Sequence, residues 1–350
     1  LHNNGGGAVV YVTGGTFTGD LGADAATYVS GGTFNITTPY TSAIEISGGY
    51  FSFEVTQAMC AADYVPAAGQ TTIDNKQYYT VESLRVAKIE RDGQTQYFAT
   101  LAAAIEAAEA GDTVTLLKDA TATAVVEITK SITIDGNGLD LNTSATCAIW
   151  INAGNVDVTI KNLTIPANSN VARAIQIKPD CNNVKLTIDN VTASATYYTV
   201  NVCSNVDDLN LTIKNSNITG WGAVNLWGNN GTVTIEDSTL TGVNDKGYNA
   251  DGWNNFGVIV VEGDTTGQTE DHAFAYDITV NNTAIVVDST TGNGQTAIVY
   301  NNQSVENAVT LESCTVELKN ENCSFLCDDG ADSVTKLKGT TVYGTQDIPV

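Results

Sequence analysis

Few residues in this 350-residue sequence have the types and spacing that chemistry needs. Carboxylates in pairs can hold Ca²⁺ when further oxygens join them, and the chain offers Asp207-Asp208 and Asp328-Asp329. Each pair falls in a turn at a different part of the chain's repeat, so solvated turn acids are the simpler reading. Glu270-Asp271-His272 places a histidine beside carboxylates, but within an insertion. With only His2 and His272, and seven cysteines that form no Cys-x-x-Cys pair, a zinc site fits poorly. An odd cysteine count leaves at least one thiol unpaired. Cys323 and Cys327 flank Phe325 at the two ends of one expected strand, a poor geometry for a disulfide. No catalytic residue, metal or cofactor is expected, and Ca²⁺ lacks a supporting cluster of acids.

Binding chemistry is better represented. Trp150, Gln176, Asn201 and Asn225 recur at one position of the repeat, with Lys178 and Trp227 beside them and Tyr248, Trp253 and Phe256 in a nearby insertion. Val299 and Leu326 are the expected continuation of the line. Aromatic faces stack on the C–H surfaces of sugars and amides hydrogen-bond their hydroxyls, so this row can take a polysaccharide or a surface ligand. The competing reading is that Trp227 and Trp253 pack the insertion onto the repeats.

What aligns these residues is a phrase said four times: Val158-Thr-Ile160-Lys-Asn162, Leu186-Thr-Ile188-Asp-Asn190, Leu211-Thr-Ile213-Lys-Asn215 and Val233-Thr-Ile235-Glu-Asp237. Its second apolar residue advances by 28, 25 and 22 positions (160, 188, 213, 235). A second column, Ile149-Trp-Ile151, Ile175-Gln-Ile177, Val200-Asn-Val202 and Val224-Asn-Leu226, advances by 26, 25 and 24. Successive side chains of a strand point to opposite faces, so the apolar members face one interior and the residues between them face out. Two columns of matching period predict the coils of a parallel β-helix with three strands per coil. Asn162, Asn190, Asn215, Asp237 and Asn282 should stack at one turn, and the alternating charges Asp135, Lys161, Asp189, Lys214 and Glu236 should fix the register. The step from Ile235 to Val280 is 45, which places insertions at 242–256 and 263–276.

Upstream, Gly14-Gly15, Gly31-Gly32 and Gly48-Gly49 advance by 17 and each precedes an aromatic two residues on, Phe17, Phe34 and Phe51. These read as narrow coils with stacked aromatics, and residues 1–60 are expected to close an upstream β-helical module. Residues 61–96 are expected to form a hairpin or linker, with an Asp-Asn-Lys turn near Ile73 and another at Arg91-Asp-Gly93. Residues 97–350 should form the main stack, opened by a helix from Thr100, its N-cap, to Glu109, with Leu101, Ile105 and Ala108 on one face and Gly111 ending it. Laid over the first coil, such a helix covers apolar side chains and strand edges.

Fifteen lysines and arginines stand against 39 acids, a net charge of −24, which disfavours nucleic acid and anionic membrane surfaces. No apolar run approaches a membrane span of about 18 residues. The start at Leu1, inside a repeat, reads as an excised piece of something longer. Abundant Thr, Asn and Gly with few basic residues resemble secreted bacterial surface proteins.

The three-strand coil, the asparagine stack and the opening Phe98-Ala-Thr-Leu-Ala-Ala-Ala-Ile105 through Gly111-Asp-Thr-Val-Thr-Leu116 and Ile132-Thr-Ile-Asp-Gly136 resemble the right-handed parallel β-helix of the pectate lyase and pectin lyase superfamily. The Gly-Gly-aromatic coils followed by a new cap look like the module junctions of large multi-module bacterial adhesin-like surface proteins. The resemblance implies an all-β chain with a short N-terminal capping helix, other modules of the same polypeptide as neighbours, and an extracellular or bacterial cell-surface setting. In the lyases, substrate lies along the outward face of the first strand column, where carboxylates hold Ca²⁺ and a basic residue takes a proton; the related hydrolases use clustered aspartates there. Carried onto this chain, that face offers no carboxylate cluster and no arginine; Lys178 is its nearest base, and Arg173 precedes its strand. The expectation is a non-catalytic adhesin-like or stalk module. The alternatives are a glycan-binding module, or a polysaccharide lyase or glycoside hydrolase with an unrecognised site.

Overall fold

The computed structural model describes residues 1–3, 7–40, 43–245, 257–262, 275–289, 294–301, 308–328 and 333–344. Two compact units divide the chain, Leu1–Val86 and Ala87–Val350.

In the second unit the predicted columns are three ranks of parallel strands. Column one runs through Val126–Ile128, Cys147–Ile151, Arg173–Ile177, Tyr198–Val202, Gly222–Leu226, Gly257–Glu262, Gln295–Asn301 and Cys323–Asp328. Column two begins at Thr113–Leu116 and ends at Val334–Lys338; column three begins at Ala120–Ala122 and ends at Thr341–Gly344. The apolar residues found by periodicity are neighbours in space: Ile134, Ile160, Ile188, Ile213, Ile235, Val280 and Leu311 pair in succession, each essentially without exposure. Burying a side chain of that size contributes roughly 1.5–3 kcal/mol, so a one-residue slip, which would turn a whole strand's apolar set outward, is strongly penalised. The outward position between them carries threonine in eight consecutive coils, Thr113, Thr133, Thr159, Thr187, Thr212, Thr234, Thr279 and Thr310. A β-branched side chain suits a half-exposed pleated face.

Between columns two and three the chain turns on a single residue in the left-handed region: Asn162 (φ 52°), Asn190 (54°), Asn215 (52°), Asp237 (50°), Asn282 (44°) and Ser313 (55°). Asparagine and aspartate tolerate this region better than other side chains. The amides also link the coils. Asn190 Nδ2 donates to Asn162 Oδ1 at 2.9 Å and Asn162 Nδ2 to Asp135 at 3.0 Å, whereas Asn215 turns to Asp189 at 2.9 Å instead of continuing to Asn190. The charge alternation is paired as expected, Lys161 with Asp135 at 3.1 Å and Lys214 with Asp189 at 3.5 Å.

The next residue forms a second relay that the sequence reading did not anticipate. Val191 N–H donates to Ser216 Oγ (3.1 Å), Ser216 N–H to Ser238 Oγ (3.1 Å) and Ser238 N–H to Thr283 Oγ1 (3.3 Å). Thr283 N–H points to the Cys314 thiol, and Cys314 N–H donates to Thr340 Oγ1 (3.3 Å). Where the backbone bends out of the ladder, each side chain accepts the stranded amide of the coil before it.

The N-terminal end of this stack is covered. The helix is Leu101–Ala107, shorter than the expected 100–109, with Thr100 Oγ1 accepting from Ala103 N–H at 3.1 Å and Leu101, Ala104, Ile105 and Ala108 buried. It packs on the first coil's strands, 113–116, 120–122 and 126–128. Lys130 Nζ closes its C-terminal end on the carbonyls of Glu106 (2.8 Å) and Ala108 (2.6 Å). The hairpin Ala87–Arg91/Gln94–Phe98, turning on Asp92 and Gly93 with positive φ, pairs antiparallel with Thr113–Leu116. Arg91 binds both Asp112 and Glu109, and this contact holds the Asp112 carboxyl below the usual carboxylate range.

The first unit is built from Val10–Ala23 and Thr27–Tyr40 in parallel, then Ile44–Ile46 and Tyr50–Phe51. Phe17, Phe34 and Phe51 stack at 4.8 and 4.9 Å between centroids. The second glycine of each pair is obligatory: Gly15, Gly32 and Gly49 have φ of 99°, 109° and 114°. The hairpin Tyr64–Ile73/Lys76–Ser83 pairs with this unit through Phe51 and Tyr79. The segment 61–96, read as one hairpin or linker, therefore falls on both sides of the division.

Candidate functional site

Column one presents the row singled out in the sequence. Pairing runs Glu127, Trp150, Gln176, Asn201, Asn225, Val260, Val299 and Cys327. Four of the eight candidates, Trp150, Gln176, Asn201 and Asn225, lie in this row and Lys178 and Trp227 beside it; Tyr248 and Trp253, with Phe256, lie outside the described residues. The continuation needs one correction. Leu326 pairs with Ile298 in the inward rank, and Cys327 takes the outward place beside Val299. The stretch Cys323-Ser-Phe-Leu-Cys327 carries apolar side chains at both parities, so alternation alone could not choose the face.

The outward row is not uniformly open. Trp150 and Gln176 are half-buried, but Asn201 is 4% exposed, Asn225 1% and Val299 3%. The amides face one another: Asn225 Nδ2 donates to Asn201 Oδ1 at 3.0 Å, and Asn201 Nδ2 lies 3.4 Å from Gln176 Oε1. Asn225 Oδ1 ends this ladder without a partner among the described residues, next to Val260. A parallel line two residues on holds Asn152, Lys178, Cys203 and Trp227, each tied to the previous coil through its backbone N–H. Lys178 Nζ sits 4.0 Å over the centre of the Trp150 ring, a cation–π contact. Trp227 is 37% exposed. The accessible part of this face therefore runs from Glu127 and Asn152, which are hydrogen-bonded to each other, through Trp150, Gln176, Lys178 and Trp227, with Cys327 exposed at its far end. Beneath it Cys147 is buried, and that burial pushes its thiol up to about 12.

An aromatic cluster at the corner accounts for part of the burial. Tyr197, Tyr198 and Trp221 meet at 4.6–5.6 Å and pack on Val260 and Val299. Trp221 Nε1 donates to Asn244 Oδ1 at 3.2 Å, and Gln295 Nε2 to Trp221 O at 2.7 Å. Arg173, which opens its strand rather than preceding it, lies 5.2 Å over the Tyr197 ring.

Asp207-Asp208 is a turn pair, whereas Asp328, expected in a turn, ends the strand Cys323–Asp328 opposite Tyr300. Asp207 Oδ1 accepts from Asn229 Nδ2 and Asn230 Nδ2, both at 3.0 Å, and Asp208 holds a positive φ of 56°. Asp329 and Glu270-Asp271-His272 lie outside the described residues. Among the described residues no three His, Cys, Asp or Glu side chains are grouped to hold a metal ion, and no helix is long and apolar enough to cross a membrane. Cys60, Cys147, Cys181, Cys203, Cys314 and Cys323 are free thiols. A polar groove of about 440 Å³ follows the asparagine turn, past Asn215, Asp237, Asn282 and Ser313.

Residues 95–201, less than a third of the chain, match the family model of a pectate lyase-like adhesive domain. No curated protein matches the chain. The matched segment runs from the second strand of the capping hairpin through the helix and the first coils to Asn201 of the outward row. Both the match and the winding of parallel three-strand coils place a pectate lyase-like parallel β-helix in this chain.

Proposed function

We propose that the chain is a non-catalytic adhesive module of an extracellular or bacterial cell-surface protein, working by presenting a long, register-locked face to a surface ligand. The observation that carries this reading is the state of the column-one face. Its nearest base, Lys178, rests on the Trp150 ring, and its deeper amides are spent on each other. Proton abstraction needs a base within reach of the proton and placed to take it; a lysine seated on an indole is placed to stack. A rigid stack of coils supplies area and spacing, which adhesion needs more than it needs mobile acids. The adhesive character of the matching family supports the same reading, and a net charge of −24 keeps the chain off nucleic acid.

A glycan is the ligand class favoured by Trp227, which exposes 37% of its surface on the line that carries Lys178, with Gln176 on the adjoining row. The test is retention on an array of microbial and host glycans. Wild type should be retained and Trp227→Ala should not, at unchanged melting temperature. Equal retention of the two proteins would remove this face from consideration.

A further inference from the structure

The corner between columns two and three changes character partway along the stack. In the earlier coils the residue after the turn is apolar and buried, Leu163 after Asn162 and Val191 after Asn190, and the strands Asp157–Ile165 and Lys185–Ser194 run through the corner unbroken. From Asn215 onward that place is taken by Ser216, Ser238 and Thr283, whose hydroxyls donate back to the carbonyls of Lys214 (2.6 Å), Glu236 (2.7 Å) and Asn281 (2.8 Å). Each strand is then cut in two, Leu209–Lys214 from Asn217–Gly220, Asn230–Glu236 from Thr239–Asn244, and Ala275–Asn281 from Ala284–Ser289. A leucine filling the inside of the corner props the backbone outward, whereas a serine bonded to its own backbone lets it sink. The groove of about 440 Å³ lies where these hydroxyls begin.

The lining selects a chemistry. One rim is the asparagine turn; the other is the start of column three, where Asn217, Thr239, Ala284 and Thr315 pair in succession. The floor hydroxyls are engaged in the relay, but the side chains of Asn217, Thr239, Ser313 and Thr315 hydrogen-bond to no other described residue. Asp237 is the one ionisable group in the lining. The outward positions just before the turn add Glu236 and Glu312, while Lys214 among them is already paired with Asp189. A polyanion is therefore repelled. Hydrocarbon is limited to Ala284 and threonine methyls, too little to hold an apolar ligand. What fits is a neutral molecule dense in hydroxyls, which gives and takes hydrogen bonds as amides and hydroxyls do. Coils repeat about every 4.8 Å, close to the advance per sugar of an extended β-1,4-linked chain, so successive sugars would meet like groups.

We propose that this groove is a binding site for a neutral β-1,4-linked polysaccharide, which lies along the stack with one sugar to a coil. It is formed by columns two and three, which belong to a different sheet from column one, so it does not depend on Trp227 or Lys178. Each hydrogen bond exchanged with water contributes little. Affinity therefore accumulates over successive coils, and short oligomers bind weakly.

The experiment is calorimetric titration of the full chain with hexamers and dimers of β-1,4-linked glucose, mannose and N-acetylglucosamine, and with hexagalacturonate as the anionic counterpart. Wild type and Trp227→Ala are titrated side by side, which separates this groove from the column-one face. At least one neutral hexamer should bind both proteins equally, with its dimer tenfold or more weaker. Thr239→Arg, which lays a long side chain across the groove from a half-buried position, should weaken the hexamer tenfold or more. Should that variant melt early, Asn217→Arg blocks the same groove from an exposed position. The proposal is overturned if no neutral hexamer binds Trp227→Ala, if the folded arginine variant keeps full affinity, or if hexagalacturonate binds Trp227→Ala more tightly than the neutral hexamers. Binding that survives the arginine and disappears in Trp227→Ala belongs to the column-one face, and overturns this site while leaving that one standing.

Discussion

Replacing Ser238 by alanine tests the hydroxyl relay at its centre. Ser238 Oγ accepts the Ser216 N–H at 3.1 Å and donates to Glu236 O at 2.7 Å, with Ser216 and Ser238 only 2% and 6% exposed. Alanine leaves the Glu236 carbonyl satisfied, since Asn215 N–H also donates to it at 3.2 Å. The loss is therefore one acceptor for one buried amide, which costs about 1–3 kcal/mol. Ser238→Thr should be nearly neutral, because Thr283 fills the same place one coil on. Ser238→Cys should fall between, as the weaker acceptor already used at Cys314. Urea unfolding followed by tryptophan fluorescence suits the question, since Trp221 and Trp227 belong to the coil that leads into Ser238. The midpoint should drop for alanine with the slope unchanged. Alanine and threonine variants of equal stability would refute the relay as a source of stability.

Three further outcomes follow from particular residues. Gly32→Ala should destabilise the first unit by about 1–3 kcal/mol, because φ of 109° suits glycine alone and the new Cβ would lie 3.0 Å from Gly15 O; unchanged thermal unfolding would contradict it. Asp112 contributes stability that is present above the ordinary carboxylate value of about 3.9 and is lost as pH falls through its lower folded value, since Arg91 depresses it. The gap in melting temperature between wild type and Asp112→Asn should accordingly be constant near neutrality and close in acid; a gap that persists below that range would contradict the pairing. Cys147, buried and pushed up to about 12, should resist alkylation in the native protein while exposed Cys327 reacts, as peptide mapping would show; native labelling of Cys147 would place the thiol nearer solvent.

Periodicity carried most of the architecture. A period of two assigns faces, a period near 25 assigns coils, and both leave marks in sequence because a misplaced apolar residue is costly in either direction. That is why the ranks of Ile160 and Ile151, the asparagine turn, the Phe17–Phe34–Phe51 stack and the Thr100 cap were readable. Periodicity does not reveal what lies on top of an outward residue. Asn201 and Asn225 are outward by parity and buried in fact, on a face shared with the corner cluster of Tyr198, Trp221 and Val260. Nor does it separate a solvated serine from one that accepts a stranded amide. Ser216 and Ser238 were visible only as the residue after the asparagine position, although the shared hydroxyl at Thr283 and Thr340 was a signal that could have been followed. Leu326 was misassigned for the opposite reason, because apolar neighbours on both sides erase the alternation.

The measurement that bears most directly on the account is turnover of acidic polysaccharides by the purified chain, with and without added Ca²⁺, followed by absorbance of the unsaturated product. A non-catalytic face predicts a flat trace under both conditions from a protein that is still retained by its surface ligand. Sustained product formation that disappears in Lys178→Ala would contradict it, by showing that the lysine leaves the Trp150 ring to act as a base.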